Sequence, residues 1–258
     1  MSVLAQPRPV SVTRTARVRG LRYAITPLVL AAVLLAVLVY VSTQPLDLIE
    51  QRSLNAGYLL DRTGKHLLLT AIVTALILAV ALPTGVLLTR PWARRLGVPL
   101  LAIANIGQAV PSLGLIVLLA VTFVSLGVNQ IAVIAFALYG VLPVLRNTIA
   151  GLQQVDRSVI ESARGRGMTR TAVLFNVELP LAVPVVLAGI RTALVITVGT
   201  VALGTFIGAG GLGDVISNGI NSTRNLVLVV GSVLVSALAL LIDWLAGIAE
   251  DVLHPRGL

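Results

Sequence analysis

Long apolar runs alternate with short polar segments along this chain of 258 residues. A helix needs about 20 apolar residues to cross the hydrocarbon core of a bilayer, and several runs approach or exceed that length. The predicted membrane spans are residues 24–41, 66–89, 98–123, 129–145, 181–207 and 226–249. The pattern therefore predicts an all-α fold, a polytopic membrane bundle of about six transmembrane helices.

The composition agrees with a membrane protein and excludes sites that depend on cysteine. Hydrophobic residues make up 57% of the chain and charged residues only 11%, a balance far from that of soluble domains. Because the chain has no cysteine, a disulfide framework, a thiolate metal site and a cysteine nucleophile are excluded. No internal repeat is visible, which weakens the alternative of an ion-coupled carrier built from repeats.

The positive charges are distributed unevenly between the two sides that six spans would create. With the N-terminus inside, fourteen of the nineteen Lys and Arg residues face the cytoplasm, four lie outside, and Arg191 falls within a span. This excess predicts that both termini are cytoplasmic. The predicted divisions are a cytoplasmic segment 1–23, a first span 24–41 that is retained rather than cleaved as a signal, an extracytoplasmic surface segment 42–65, a core 66–249 with a cytoplasmic loop 147–180, and a tail 250–258.

The cytoplasmic loop is predicted to form two short helices joined at glycines. Asp156 is expected to cap the first helix, and Gly165 and Gly167 to end it. Thr169 is expected to cap the second helix, and Pro180 to close it before the fifth span. The loop should therefore be a compact projection and not a flexible linker.

Residues 161–180 of this loop read ESARGRGMTRTAVLFNVELP. Glu161 begins Glu-Ser-Ala, Gly167 follows after three residues, and Val177 begins Val-Glu-Leu-Pro after nine more. The spacing resembles the EAA loop of ATP-binding cassette importer permeases, Glu-Ala-Ala, three residues, Gly, nine residues, Ile-x-Leu-Pro. Ser162 replaces an Ala and Val177 replaces Ile. The inside-positive bias would explain the arginines here, but not this spacing.

The resemblance implies a type I importer permease fold in the bacterial cytoplasmic membrane, surrounded by membrane lipid. It implies a separate cytoplasmic ATPase subunit that carries ATP and Mg, a second permease subunit in a homodimer or heterodimer, and an extracytoplasmic substrate-binding protein; nucleic acid is not an expected partner. The residues that the resemblance assigns to ATPase coupling are Glu161, Ser162, Ala163, Gly167, Leu179 and Pro180.

The chain itself lacks the motif of an ATPase. A phosphate-binding P-loop requires Gly, four residues, then Gly-Lys-Ser/Thr. The only lysine, Lys65, follows Gly64, but Leu59 stands where the first Gly belongs and His66 replaces the hydroxyl residue. We therefore expect a transport subunit with no catalytic residues and no cofactor of its own.

The third predicted span carries a polar stripe. Asn105, Gln108 and Ser112 fall on one helical face, and Pro111 is expected to bend the axis. Polar side chains are costly in hydrocarbon, so these should face the bundle interior. Two interpretations stay open: the stripe and Pro111 line the transport pathway, or the polar groups join helices by hydrogen bonds.

Four glycines follow the fifth span in the sequence IGAGGLGD, on the outer side by the predicted topology. Gly208, Gly210, Gly211 and Gly213 permit tight turns and close backbone approach, as expected of an external gate where two copies meet. A dinucleotide-binding fingerprint is not supported, because no soluble strand precedes the glycines.

Ionisable residues within the spans are few. Arg191 and Asp243 have similar predicted depths, so we expect them to form an intramembrane charge pair. A proton relay is the weaker alternative, because the interior offers one acid and not a chain of them. His66 is expected to be an interfacial residue, His254 lies at the opposite face, and no metal site is predicted.

Four stretches, GQAVPSLGL, ESARGRGMTR, VELPLAVPVVLAGIRTA and IGAGGLGD, resemble the osmoprotectant permeases of this importer class. That resemblance implies glycine betaine, carnitine or choline as the solute, with methionine-type or phosphonate-type permeases as alternatives. Quaternary ammonium recognition favours an aromatic cage, yet aromatic residues are only 4% of the chain. Phe136 and Tyr139 are interpreted as packing residues, so specificity is expected to reside in the binding protein.

Overall fold

The computed structural model describes residues 13–253, with side chains described from Tyr23 onward. Within those residues the regular structure is helical, as predicted. The α-helices are α1 (Thr13–Thr43), α2 (Leu48–Ser53), α3 (Ala56–Leu88), α4 (Gly97–Ala109), α5 (Ser112–Thr122), α6 (Val128–Gln153), α7 (Arg157–Gly165), α8 (Arg170–Val173), α9 (Leu179–Val201), α10 (Gly213–Asn221) and α11 (Asn225–Leu253).

Five helical segments are long and apolar enough to cross a membrane individually: Tyr23–Thr43, Ala56–Leu88, Val128–Gln153, Arg170–Ile207 and Asn225–Leu253. The α4 and α5 segments pass the same test only as a pair, and the pair brings the number to six. The predicted polytopic bundle is therefore confirmed, with five spans, or six if the bent α4–α5 pair crosses as one. The predicted tail 250–258 falls partly outside the described residues, as do residues 1–12.

The break in the third predicted span is sharper than a bent axis. The helix stops at Ala109, Val110 and Pro111 adopt extended backbone angles, and α5 leaves at 96° to the preceding helix. Proline lacks the N–H that would continue the helix, and its ring disfavours a helical conformation at the preceding residue. The single span predicted for residues 98–123 is thus two helices joined at an angle.

The predicted surface segment 42–65 is largely helical. Asp47 caps α2 by accepting from the backbone N–H groups of Ile49 and Glu50, and Asn55 caps α3 by accepting from Tyr58. The second span consequently starts at Ala56, ten residues before the predicted start. Local capping extended the helix beyond its apolar stretch.

Helix α10 was not predicted from the sequence. It lies between the fifth and sixth spans and packs mainly against α11, with Val215 and Gly219 buried. Its nine residues are too few to cross a membrane. The spacing of Val215, Ile216, Gly219 and Ile220 is the amphipathic signal that could have revealed it.

The centre of the bundle is α6, which packs most extensively against α9 and α3. Val73 and Ile77 of α3 meet Phe136 and Leu145 of α6 in the fully buried core. Close approach depends on Gly140, because a Cβ there would lie 2.2 Å from the Cδ1 atom of Ile77. By contrast, α1 contacts chiefly α11 and leaves most of its apolar side chains exposed, as expected for a helix that faces lipid.

The bundle has two ends that carry different loops. The end that carries α7 is called the coupling-loop end. The end that carries residues 208–213 is called the glycine-loop end. Helices α3, α6 and α9 run between them and share one packed core.

Candidate coupling and gating sites

Helix α7 is a short, capped projection at the coupling-loop end. Asp156 accepts a hydrogen bond from the backbone N–H of Ser158 at 2.8 Å, and that bond lowers the pKa of the Asp156 carboxyl from its ordinary value. The helix ends at Gly165, and Gly167 has a φ of +89°, a left-handed conformation that glycine adopts without strain. The capping and stop signals therefore lie where the sequence analysis expected them.

The coupling residues divide into exposed and buried members. Glu161, Ser162 and Gly167 are exposed, whereas Ala163 is fully buried. Ala163 packs α7 onto the body of the protein, so the surface that α7 offers to a partner is formed by its neighbours. Their role in coupling stays a prediction at the level of individual residues.

The second half of the loop differs from the prediction. Thr169 caps α8 by accepting from the backbone N–H of Ala172, but Pro180 does not close a separate helix. Instead a π-helical turn, Leu174–Glu178, joins α8 to α9 without a break, giving one helical segment Arg170–Ile207. Pro180 has no N–H to bond to the preceding turn, and the wider π-helical turn allows the helix to continue without that bond. The second half of the loop, from residue 170 onward, is consequently a direct extension of the fifth span.

An ion pair that the sequence analysis did not single out holds this extension. The Arg90 Nη2 atom donates to the Glu178 Oε2 atom at 2.5 Å, and Glu178 is only 8% exposed. Arg90 follows α3, so the pair joins the end of the second span to the junction of α8 and α9. The sequence signal for this pair was Glu178, an isolated acid directly before Leu179 and Pro180, together with the basic loop that follows α3. Leu179 is half-buried and Pro180 is exposed.

The polar stripe of the broken span makes contacts with α6. The Gln108 side chain donates to the Tyr139 carbonyl at 2.8 Å, and the Tyr139 hydroxyl donates back to the Val110 carbonyl at 2.5 Å. Asn105 accepts from Arg146 at 2.8 Å. These bonds hold the break against α6, which is the helix-joining interpretation. A pathway-lining role for Asn105, Gln108, Pro111 and Ser112 stays a prediction.

Phe136 and Tyr139 are packing residues. Phe136 is fully buried and Tyr139 is 6% exposed, so neither ring presents a face to a solute. This agrees with the interpretation made from the sequence.

The four glycines at the other end serve two different structural purposes. Gly208, Gly210 and Gly211 have φ values between +82° and +97°, which turn the chain sharply. Gly213 begins α10 with an ordinary conformation, but a Cβ there would lie 1.9 Å from the Ala202 carbonyl oxygen. The loop is therefore pressed directly onto the end of the fifth span.

His66 secures this loop from a fully buried position, and its placement at the level of the membrane interface stays a prediction. The ring is fully buried; its Nε2 atom is 3.0 Å from the Val198 carbonyl, and the Leu212 N–H donates to its Nδ1 atom at 3.3 Å. These partners assign the neutral tautomer with the proton on Nε2. No metal-binding cluster occurs within residues 13–253.

Further polar pairs close the glycine-loop end. Arg62 bonds to Asp214 at 2.5 Å, joining α3 to α10. Arg224 bonds to Asp47 at 2.6 Å, joining the start of α11 to α2. The Glu50 backbone N–H and the Arg224 guanidinium lower the pKa of Asp47. Segments far apart in the chain are thereby held around the glycines.

Arg191 and Asp243, predicted to pair within the bundle, are in contact. The Arg191 Nε and Nη2 atoms each approach a different Asp243 carboxylate oxygen at 2.6 Å, a bidentate arrangement. The Glu250 carboxylate also lies 3.5 Å from Arg191. A second carboxylate therefore shares the same guanidinium.

Residues 81–254 match the family described as the binding-protein-dependent transport system inner membrane component. The chain belongs to this family. Its match covers the coupling loop, the glycine loop and every span from the end of α3 onward. Members are permease subunits whose ATPase is a separate subunit, in agreement with the incomplete P-loop around Lys65.

Alignments with relatives cover nearly the whole of each relative and about four fifths of this permease. The carnitine transport permease protein OpuCD of Listeria monocytogenes is 39% identical over 81% of this chain and 92% of its own. The choline transport system permease protein OpuBB of Bacillus subtilis is 41% identical over 79% and 92%. The osmoprotectant import permease protein OsmW of Salmonella typhimurium is 38% identical over 83% and 100%.

A solved structure supports the fold of the permease. A chain of the MetNI methionine ABC transporter, in an inward-facing conformation, superposes with a TM-score of 0.64 at 26% identity, over 76% of this chain and 95% of that one. The expected type I importer permease fold is therefore confirmed. The subunit is the membrane component of an ATP-binding cassette importer.

Proposed function

We propose that this permease passes a small quaternary-amine osmoprotectant, such as glycine betaine, carnitine or choline, inward across the bacterial cytoplasmic membrane. The observation that carries the proposal is the similarity to permeases of carnitine, choline and osmoprotectants at 38–41% identity over about four fifths of the chain. The two aromatic rings nearest the middle of the bundle, Phe136 and Tyr139, are buried in packing. Solute selection accordingly falls to the extracytoplasmic binding protein.

The orientation in this proposal places the coupling-loop end and both termini in the cytoplasm. The strong excess of arginine at that end supports it. The chain has no cysteine, so single cysteines introduced at exposed Ser162 and Asn221 report the two ends separately. We expect a membrane-impermeant thiol reagent to label the Asn221→Cys variant in intact cells, and Ser162→Cys only after the membrane is opened.

Coupling in this proposal begins at the exposed face of α7. Glu161, Ser162 and Gly167 contact a separate ATPase that binds ATP and Mg, while Ala163 and the Leu179–Pro180 junction keep the projection attached to the fifth span. A displacement of α7 would pass through the unbroken segment Arg170–Ile207 and through the Arg90–Glu178 pair to the second span. Rigid-body movement transmitted in this way alternates the access of the pathway.

The pathway in this proposal is completed by a second permease subunit, identical or closely related. Asn105, Gln108, Pro111 and Ser112 border it, and the loop with Gly208, Gly210, Gly211 and Gly213 forms the external gate facing the binding protein. The contacts of His66 and of the Arg62–Asp214 pair support a gate that is held shut until the helices move.

Methionine is the second candidate solute, favoured by the likeness to the methionine transporter chain, but at the lower identity of 26%. Reconstitution separates the candidates. Proteoliposomes containing the permease, its ATPase and its binding protein should accumulate labelled glycine betaine, carnitine or choline with internal ATP. Uptake of methionine instead would replace the solute assignment, and uptake by the permease alone on an ion gradient would contradict the importer mechanism.

A further inference from the structure

A cavity of about 390 Å³ opens at the coupling-loop end, between the chain that follows α3 and the α7–α8 projection. Three guanidinium groups line it, those of Arg90, Arg164 and Arg170, together with the exposed indole of Trp92. One carboxylate, Glu178, faces them, and it already bonds to Arg90 at 2.5 Å. The cavity therefore has two cationic groups more than its own acid can neutralise.

Arg164 and Arg170 form no ion pair with an acid among the described residues. They come from separate helices and line the same cavity, so their charges face one volume. Guanidinium groups bind phosphate oxygens in a bidentate geometry, which makes phosphate the chemistry that this lining recognises.

The surroundings of Trp92 indicate where that phosphate comes from. Leu87, Leu96 and Val98, close to Trp92 in the chain, are between 47% and 79% exposed. Phe175, beside the cavity residue Leu174, is 62% exposed. Exposed apolar side chains are expected where a bundle meets lipid, and tryptophan concentrates at the headgroup level. The cavity thus opens where a hydrocarbon-facing surface gives way to an arginine-rich end.

We propose that the cavity lined by Arg90, Arg164, Arg170 and Trp92 binds the phosphate of an anionic phospholipid headgroup. Basic pockets between transmembrane helices are a recognised form of anionic headgroup site. The lipid would hold the α7–α8 projection against the end of α3, next to the Arg90–Glu178 pair, and so set how freely the projection moves. The site requires only that the spans lie in a membrane and is independent of the transported solute.

The cavity lies on one flank of α7, which leaves the opposite flank free for the ATPase. Ile160 and Arg164 are separated by one helical turn and both line the cavity. Ser158 and Ser162 project from the far side of the same helix and are exposed. Lipid and ATPase can therefore occupy α7 together.

The two tryptophans of the chain, Trp92 and Trp244, provide the test. The full-length Trp244→Phe variant leaves Trp92 as the reporter in the cavity, and Trp92→Phe leaves Trp244 as the control reporter on α11. Each is reconstituted in phosphatidylcholine bilayers with acyl-brominated phosphatidylglycerol or acyl-brominated phosphatidylcholine as the quencher. We expect brominated phosphatidylglycerol to quench Trp92 at a mole fraction roughly fivefold or more below that of brominated phosphatidylcholine, with no such preference at Trp244.

Variants of the arginines complete the experiment. In the Trp244→Phe background, R164A/R170A should lose the preference, whereas R95A/R166A, which removes two exposed arginines that do not line the cavity, should keep it. R164K/R170K retains both charges but not the bidentate guanidinium geometry, so it should keep only part of the preference.

Equal quenching of Trp92 by the two lipids, or equal loss in both alanine pairs, would overturn the proposal. Abolition of the preference by millimolar inorganic phosphate would also overturn it, in favour of a site for free phosphate. A fourth outcome, in which R164A/R170A keeps the lipid preference but no longer co-purifies with the ATPase, would assign the cavity to that protein partner instead.

Discussion

The coupling-loop end leaves its projection open, whereas the glycine-loop end holds its loop against α3 and the end of the fifth span. At the first end Glu161 and Ser162 are exposed, and an added Cβ at Gly167 would meet no atom within 4 Å. At the second end Gly210, Gly211 and Gly213 are buried, and His66 bonds to the loop directly. At the coupling-loop end, Gly167 provides a left-handed backbone conformation. At the glycine-loop end, Gly213 permits close contact with the end of the fifth span.

This difference has a physical consequence for the mechanism. A surface that must receive a partner subunit has to keep polar groups and backbone free until the partner arrives. The proposed external gate has to stay closed without a partner, so its polar groups are expected to bond within the chain. Substitutions of the same kind should therefore affect stability at the glycine-loop end and coupling at the coupling-loop end.

The largest effect is expected from Gly213→Ala. The new Cβ would lie 1.9 Å from the Ala202 carbonyl oxygen, a backbone atom that cannot move aside without shifting the fifth span. We expect a loss of about 3 kcal/mol or more of unfolding free energy, measured as thermal unfolding in detergent. Gly199→Ala is the matched control, because a Cβ there meets nothing within 4 Å. Similar stability of the two variants would contradict the described contact.

Gly167→Pro should preserve the fold but remove transport. Proline cannot adopt a φ of +89°, and it removes the Gly167 N–H that donates to the Arg164 carbonyl. We expect ATP-driven uptake to fall by about tenfold or more, a barrier change of about 1.4 kcal/mol, while the permease still reaches the membrane. Gly165→Ala, in the ordinary helical conformation two residues earlier, is the control. Normal uptake and assembly in Gly167→Pro would count against the coupling function of the loop.

His66→Phe should have an intermediate effect, on stability first. The substitution keeps an aromatic ring in the core but leaves the Leu212 N–H without its acceptor, at a cost of about 1–3 kcal/mol. The thermal midpoint should fall, and uptake should fall with it as the loop loosens. The neighbouring variant Lys65→Gln, which changes a half-exposed side chain, should leave both unchanged. An unaltered midpoint in His66→Phe would refute the role of the ring in holding the loop.

The smallest effect is expected from Asp156→Ala, which removes the cap of α7. The first turn should fray, and amide hydrogen exchange at Ser158 and Val159 should rise a few-fold, whereas Asp156→Asn retains the acceptor and should change little. The bond to Ser158 lowers the Asp156 pKa below 3.8, so its ionised contribution is complete at neutral pH. It should be lost only as the pH falls through that lowered value. Protection of these amides, relative to their intrinsic exchange rates, that falls between pH 8 and pH 6 would contradict this assignment.

Features that depend on neighbouring residues were predictable. The caps by Asp156 and Thr169 use N–H groups two or three residues away, and Gly167 ends α7 within the same short stretch. Spans were predictable because a run of apolar residues has no alternative to crossing or packing away from water. The Arg191–Asp243 contact was predictable from depth alone, since each charge needed a partner.

Features that depend on distant segments were not predictable. The Arg90–Glu178 pair joins residues 88 apart in the chain, and the His66–Val198 contact joins residues 132 apart. Pro180 was expected to stop a helix, and only the π-helical turn before it shows why the helix continues. The cavity with Arg164, Arg170 and Trp92 likewise exists because separate helices meet there.

The sequence by itself determined the apolar character of the spans, the capped projection and its EAA spacing, and hence the family. Local hydrogen bonds and burial of apolar runs determine these features, and both depend on residues that are close together in the sequence. Tertiary structure alone decided which charges pair, that His66 is buried, and that the two ends differ in how tightly their loops are held. Those outcomes depend on packing between segments far apart in the chain, where one helix turn of displacement changes every partner.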